Sequence, residues 1–320
     1  MFAFLILTLV GVLITCFILH HCFFKLPMCK SKTQLHGKTV IITGSNAGIG
    51  KHTALDLARR GARVILACRD QQRAEAAVAD IKQMSGSNEV LYMHLDLAKL
   101  SSVRTFAESF LKREQRLDIL INNAGIAIDG KTEEGFGIIF AVNHLGHFLL
   151  THLLLDRLKE CGPSRIVNVS SAGHRKGNID FNCLSTHRDL LPAGYSGIDV
   201  LAVYCHSKLC NVLFTHELAK RLQGTDVTCY SLHPGVIGTG IARHGAALWH
   251  RLWQLLGVLF FASVEGGAQT TLHCALAEGI EPLSGRYFSR CGLDQPDPKG
   301  TDDAAAKKLW ELSERFCGLS

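Results

Sequence analysis

The chain contains no C-x-x-C pair, no run of like charge, no internal repeat and no low-complexity stretch. Each absence removes a class of protein. The 12 cysteines of this 320-residue sequence follow no regular spacing, so they read as reduced thiols rather than a disulfide framework. Its 34 Lys and Arg against 28 Asp and Glu give a net charge of only +6, scattered along the chain, which argues against a nucleic-acid surface. The 16 histidines include His144, His147 and His152 in NHLGHFLLTH, but no Cys or carboxylate stands at ligand spacing beside them, and no metal site is expected.

Charge and proline are also missing from residues 1–19, MFAFLILTLVGVLITCFIL. A stretch of this length and polarity suits a bilayer-spanning helix. It lacks the basic start and small-x-small cleavage site of a signal peptide, so an uncleaved anchor over residues 1–24 is expected, followed by a basic juxtamembrane linker over 25–36. His20, His21, Lys25, Lys30 and Lys32 follow the span and nothing charged precedes it, which places the rest of the chain in the cytosol. The competing reading is a core helix, disfavoured because the segment is apolar on every face and a basic stretch follows.

The remainder, at 47% apolar composition overall, can bury one large domain, taken as residues 37–320. Short β-branched runs alternate there with amphipathic stretches: KTVIIT (38–43), RVILA (63–67), EVLYMHL (89–95), LDILI (117–121), RIVNVS (165–170) and DVTCYSL (226–232). HTALDLARRG and FTHELAKRL read as helices, and Gly61 stands where a left-handed cap ends the first. Right-handed crossovers then give an α/β fold, a Rossmann-like doubly wound parallel sheet in a single domain, with its ligand crevice at the carboxyl ends of the strands. Residues 187–201 form the one long loop expected.

TGSNAGIG (43–50) directly follows the first strand and opens a helix. Gly44, Gly48 and Gly50, with Ser45, Asn46, Ala47 and Ile49 between them, permit a tight turn and close approach of a pyrophosphate to backbone amides. Lys51 also suggests a triphosphatase loop. That reading fails because five residues separate Gly44 from Gly50 and His52 replaces the hydroxyl that magnesium needs. The second strand ends at Cys68, where an acid would hold a ribose 2′-hydroxyl; Arg69 follows and suits a 2′-phosphate, while Asp70 starts the next helix. NADP (NADPH) is therefore expected ahead of NAD.

In AVYCHSKLC (202–210), Tyr204 and Lys208 stand at i and i+4 and can share one helix face. There the ammonium favours a phenolate and eases proton transfer. Together with INNAG (121–125), L-D-L (95–97), V-S-S and LHPGVIGT (232–239), this pattern resembles the short-chain dehydrogenase/reductase family over roughly residues 36–290. The resemblance implies a catalytic set of Tyr204, Lys208, Ser171 and Asn143. Ser171 would bind the substrate oxygen, Lys208 the nicotinamide ribose, and Asn143 would support a water-linked proton relay. It further implies that Asp96 and Leu97 approach the adenine, that Asn123, Ala124 and Gly125 line the cofactor, and that Pro234, Gly235 and Thr239 complete the nicotinamide side. Each has a plainer alternative: Asp96 as a helix cap, Asn123 as a bridge between strands, Pro234 and Gly235 as an ordinary turn. His206 and Ser207 read as packing or supporting residues, Cys205 and Cys210 as inert core thiols.

NHLGHFLLTHLLL and YCHSKLCNVLFTHELAKRL look most like the membrane-bound retinol dehydrogenase branch of that family. This implies a lipophilic alcohol or carbonyl substrate, retinoids first and steroids or fatty aldehydes next, and an endoplasmic reticulum membrane, with mitochondria or lipid droplets as alternatives. The greasy stretch ALWHRLWQLLGVLFFA (247–262), with Trp249, Trp253, Leu256, Phe260 and Phe261, falls where the family builds its substrate lid. The segment between Ser171 and Tyr204 is longer than the family usually carries. Two rival readings are a catalytically poor cofactor-binding scaffold and a peripheral lipid-binding protein.

Overall fold

The computed structural model describes residues 26–192, 197–236 and 263–319, together with Gly11. The expected anchor, Thr239 and the 247–262 segment lie outside the described residues, Gly11 apart. Strands and helices alternate as β1 (Thr39–Thr43), α1 (Gly48–Arg59), β2 (Arg63–Cys68), α2 (Gln71–Ser85), β3 (Val90–His94), α3 (Leu100–Arg113) and β4 (Ile119–Asn122). A long helix α4 (Ile138–Glu160) leads to β5 (Ser164–Val169), a 3-10 turn (Ala172–Lys176), α5 (Phe181–His187), α6 (Gly197–Arg221) and β6 (Val227–His233). Then come α7 (Val264–Leu276), β7 (Tyr287–Ser289), β8 (Gly292–Asp294) and α8 (Asp303–Phe316).

The eight strands form one sheet in the order β3-β2-β1-β4-β5-β6-β7-β8. All pairs are parallel except the last. Alternation sends Val40 and Ile42 toward a layer with Leu57, Ala58 and Leu272, and Ile41 toward the opposite layer with Phe106, Phe148 and Leu213. Both faces are covered, which is why these strands read as continuous apolar runs. The chain leaves β3 at one edge and returns past β1 to β4, so the topological switch lies between the carboxyl ends of β1 and β4.

Among the described residues, α4 alone is long and apolar enough to cross a membrane, yet 78% of its apolar window is buried inside the protein, which makes it the core helix of this domain. Its second turn widens to a π-helix over Ala141–Leu145. Such bulges displace backbone groups from the regular ladder and recur at functional sites.

Each strand expected from the sequence is present within two residues at either end. The expected cap at Gly61 has a φ of +86°, and Asp70 caps α2 by accepting from the Arg73 amide. β7 and β8 were not anticipated, because three residues each are too few to show alternation. The expected loop over 187–201 is corrected at its far end, where α6 begins at Gly197, and it is preceded by α5, capped by Asp180. Residues 26–36, expected as a linker, run along α7: the Cys29 amide donates to Gln269, the Ser31 hydroxyl to the Leu276 carbonyl, and Leu35 is buried.

Candidate active site

The glycine turn between β1 and α1 is shaped by close approach on one side and open space on the other. A Cβ at Gly44 would lie 2.9 Å from Ala124, and one at Gly50 would lie 2.6 Å from Asn123 Nδ2 and 2.8 Å from the Gly44 carbonyl. Gly48, at φ +58°, faces nothing within 4 Å. α1 starts at an Ala47 cap that offers no side-chain hydrogen bond, and its first turn carries no acid. Its leading amides are thus directed at the open side, where a pyrophosphate finds donors and the positive end of the helix. These residues fit a dinucleotide. The Ser45 hydroxyl is spent on the Ile42 carbonyl, so Ser45 shapes the turn.

Across the switch point, Asn123 Nδ2 donates to the Thr43 carbonyl, and the Asn123 and Ala124 amides both donate to Thr43 Oγ1 at 2.9 and 3.0 Å. Asn123 therefore does bridge β1 and β4 while also flooring the cradle. Beside it, a Cβ at Gly125 would lie 3.2 Å from Lys208 Nζ and 3.7 Å from Asn143 Oδ1. Gly125 is the point where three separate elements converge.

α6 brings Tyr204 and Lys208 to this end of the sheet. Lys208 Nζ lies 5.5 Å from the centroid of the Tyr204 ring and donates to the Val169 carbonyl at 3.0 Å. Burial lowers the Lys208 ammonium to about 8. Burial likewise pushes the Tyr204 phenol up, with the Ser171 hydroxyl opposing it. In the protein by itself, desolvation of the phenolate is the largest influence on that group. Ser171 starts the 3-10 turn, its hydroxyl accepting from the Gly173 amide. His174 holds the Ser171 carbonyl from Nδ1 at 2.6 Å and accepts from the Asp297 amide at Nε2.

Asn143 sits in the π turn of α4 with its amide committed. Oδ1 accepts from the Ile126 amide, and Nδ2 donates to the Ile126 carbonyl and to Ser207 Oγ. Ser207 in turn donates to the Tyr204 carbonyl at 2.7 Å, a supporting role matching its sequence reading.

The remaining expected residues take these places. Cys68 is buried, with Sγ 3.8 Å from Ser45 Oγ, and Arg69 is exposed directly after the carboxyl end of β2. Asp96 is half-buried and accepts from the Ala98 amide, closing the turn ahead of α3 rather than capping it; Lys99 holds the cap position. Leu97 is buried, and its carbonyl would lie 2.6 Å from a Cβ at Gly146. Pro234 is buried after β6, and Gly235, at φ +100°, packs against Leu26. Thr43, His147 and His174 were missed. Their signal was available only as a hydroxyl ending β1 and as histidines four residues past Asn143 and three past Ser171.

A doubly wound sheet with a glycine cradle at its switch point and a Tyr, Lys and Ser set beside it defines an oxidoreductase of nicotinamide-dinucleotide type. The chain belongs to the short-chain dehydrogenase/reductase family. The short chain dehydrogenase family model matches residues 38–186. The chain is 52% identical to dehydrogenase/reductase SDR family member 13 of Bos taurus over 97% of this chain and 81% of that protein. It is 50% identical to retinol dehydrogenase 12 of Bos taurus over 93% of this chain and 92% of that one. Among solved structures, an uncharacterised Mycobacterium paratuberculosis protein superposes with a TM-score of 0.70 at 34% identity, covering 92% of this chain and 96% of that chain.

Proposed function

We propose that the protein is a membrane-anchored, NADP(H)-dependent oxidoreductase that interconverts a lipophilic alcohol and its aldehyde or ketone, with retinol and retinal as the leading pair. The observation that carries this reading is the convergence of Tyr204, Lys208, Ser171 and Asn143 next to the glycine cradle. The retinoid assignment draws on relatives named as retinol dehydrogenases and on the greasy 247–262 stretch. The preference for NADP draws on Cys68 where an acid would stand and on exposed Arg69 next to it. Anchoring at the endoplasmic reticulum, with the domain in the cytosol, draws on residues 1–24 and the basic residues after them.

The glycine turn, the start of α1 and the Asn123–Gly125 floor would hold a nicotinamide dinucleotide, which would supply or accept the hydride. The chain handles the oxygen and its proton. Ser171 donates a hydrogen bond to the substrate oxygen and holds it beside Tyr204. In reduction Tyr204 gives its phenolic proton to that oxygen, and Lys208 restores the proton from the Asn143 side. Because burial raises the phenol, Tyr204 is protonated at neutral pH and suited to act as the acid. A cytosolic pool of the phosphorylated dinucleotide kept largely reduced would favour carbonyl reduction, such as retinal to retinol.

The test is turnover of all-trans-retinal, a steroid ketone and a long-chain alkyl aldehyde by the full-length protein in detergent micelles, with NADPH and with NADH. Retinal reduction with NADPH preferred supports the proposal. NADPH binding without turnover of any of the three replaces it with the scaffold reading, and no dinucleotide binding replaces it with the lipid-binding one.

A further inference from the structure

The polar side chains beneath the cradle include a buried pair that the proposed chemistry does not use: Thr43 and His147, 0% and 2% exposed. Thr43 Oγ1 already receives the Asn123 and Ala124 amides, so its own proton is left for His147 Nε2 at 2.8 Å. Nε2 is then the acceptor and the ring proton resides on Nδ1, which lies 3.2 Å from the Asn143 main-chain carbonyl. One tautomer satisfies every group in the chain of contacts. Burial keeps the imidazole neutral, its pKa lowered to about 3, and the nearby Lys208 charge acts in the same direction against the pull of the Asn143 carbonyl.

The amide of Asn143 is fixed by Ile126 and Ser207, so its main-chain carbonyl is the part that His147 addresses. That carbonyl belongs to the π turn, where the backbone ladder is interrupted. The same imidazole thus grips the floor of the cradle on one side and the proton-handling segment of α4 on the other.

We propose that His147 is a positioning residue that couples the Asn123–Ala124 floor of the dinucleotide site, through Thr43, to the Asn143 carbonyl in the π turn of α4. This rests on the oxidoreductase reading above. It places the hydride donor and the proton path in one register, so that movement of one is felt by the other.

The experiment uses full-length protein in micelles, NADPH titrated by fluorescence, and all-trans-retinal as the turnover probe. His147→Phe is expected to weaken NADPH binding and to lower kcat by about 10- to 100-fold with little change in retinal KM, because small misplacement of reacting groups costs that much. Thr43→Val should reproduce the loss, and the double variant should lose no more than the worse single. Should His147→Phe fail to fold, two isosteres separate the contacts. His147→Asn, whose amide nitrogen stands near the former Nδ1, should recover kcat relative to His147→Gln. His147→Gln, which reaches Thr43, should recover NADPH affinity relative to His147→Asn. Additive losses in the double variant, or His147 variants with unchanged NADPH affinity and kcat per folded molecule, overturn the inference while wild-type binding and turnover stand. A wild-type protein that binds no dinucleotide overturns both this inference and the reading beneath it.

Discussion

Lys208 holds its ammonium 5.5 Å from the centre of the Tyr204 ring while donating to the Val169 carbonyl. The carbonyl also receives Asn211 Nδ2 at 3.3 Å, so a buried cation is fixed in place by neutral groups, with no carboxylate paired to it among the described residues. The cost of that burial appears in both side chains, as a lowered ammonium and a raised phenol.

Removing the phenolic hydroxyl isolates its part in proton transfer. Tyr204→Phe is expected to lower kcat by about 10²- to 10⁴-fold, the usual worth of a positioned acid. NADPH should still bind, since the cradle on α1 and β4 is untouched. Parallel turnover and fluorescence titration check this, and near-normal turnover would remove Tyr204 from the chemistry.

Stability should carry the mark of Lys208. Its folded pKa of about 8 lies below the ordinary 10.5, so between those values this side chain binds more proton in the unfolded state and its own contribution to stability rises with pH. At neutral pH the folded state bears the full desolvation cost. Lys208→Met should abolish turnover yet raise stability at pH 7 by up to ~3 kcal/mol, at about 1.36 kcal/mol per pH unit of the window. Asn211 still serves the Val169 carbonyl in that variant. Denaturant melts of wild type and Lys208→Met at pH 7 and pH 10 test the claim through their difference, because the buried thiols that both share lose stability over the same range, and a gap between the two that does not shrink with pH contradicts it.

Cofactor choice is expected to depend on Arg69, which is exposed beyond the buried end of β2. Arg69→Ala should raise the KM for NADPH by roughly 10- to 100-fold, the loss of one or two charge-assisted hydrogen bonds, and leave NADH use unchanged. Steady-state kinetics with both dinucleotides decide it. Equal losses for the two would assign Arg69 a general structural part.

Two glycines of the cradle should fail for different reasons. Gly50→Ala forces a methyl to within 2.6 Å of Asn123 Nδ2 and 2.8 Å of the Gly44 carbonyl, and should cost about 1–3 kcal/mol of stability along with NADPH binding. Gly48→Ala meets no neighbour but holds φ +58°, a strain of roughly 1–2 kcal/mol, and fills the space that a pyrophosphate needs. Thermal melts with and without NADPH should show both variants losing the ligand-induced rise. Equal unliganded melting temperatures for Gly50→Ala and wild type would contradict the packing argument.

The sequence by itself determined the strand order of chemistry: a glycine turn after β1, Asn123 to Gly125 after β4, Ser171 after β5, and Tyr204 with Lys208 a helical turn apart. These signals are local, because a strand, a turn and a helix face are each written within a few consecutive residues. β7 and β8 were too short to leave such a signal. Only the tertiary structure decided which distant side chains meet, joining Thr43, His147 and Asn143 and setting His174 between Ser171 and Asp297. It also decided how deeply Tyr204 is buried, the largest influence on its phenol in the protein alone. The reason is physical: desolvation depends on everything packed around a group, and that surrounding is assembled from elements far apart in the chain.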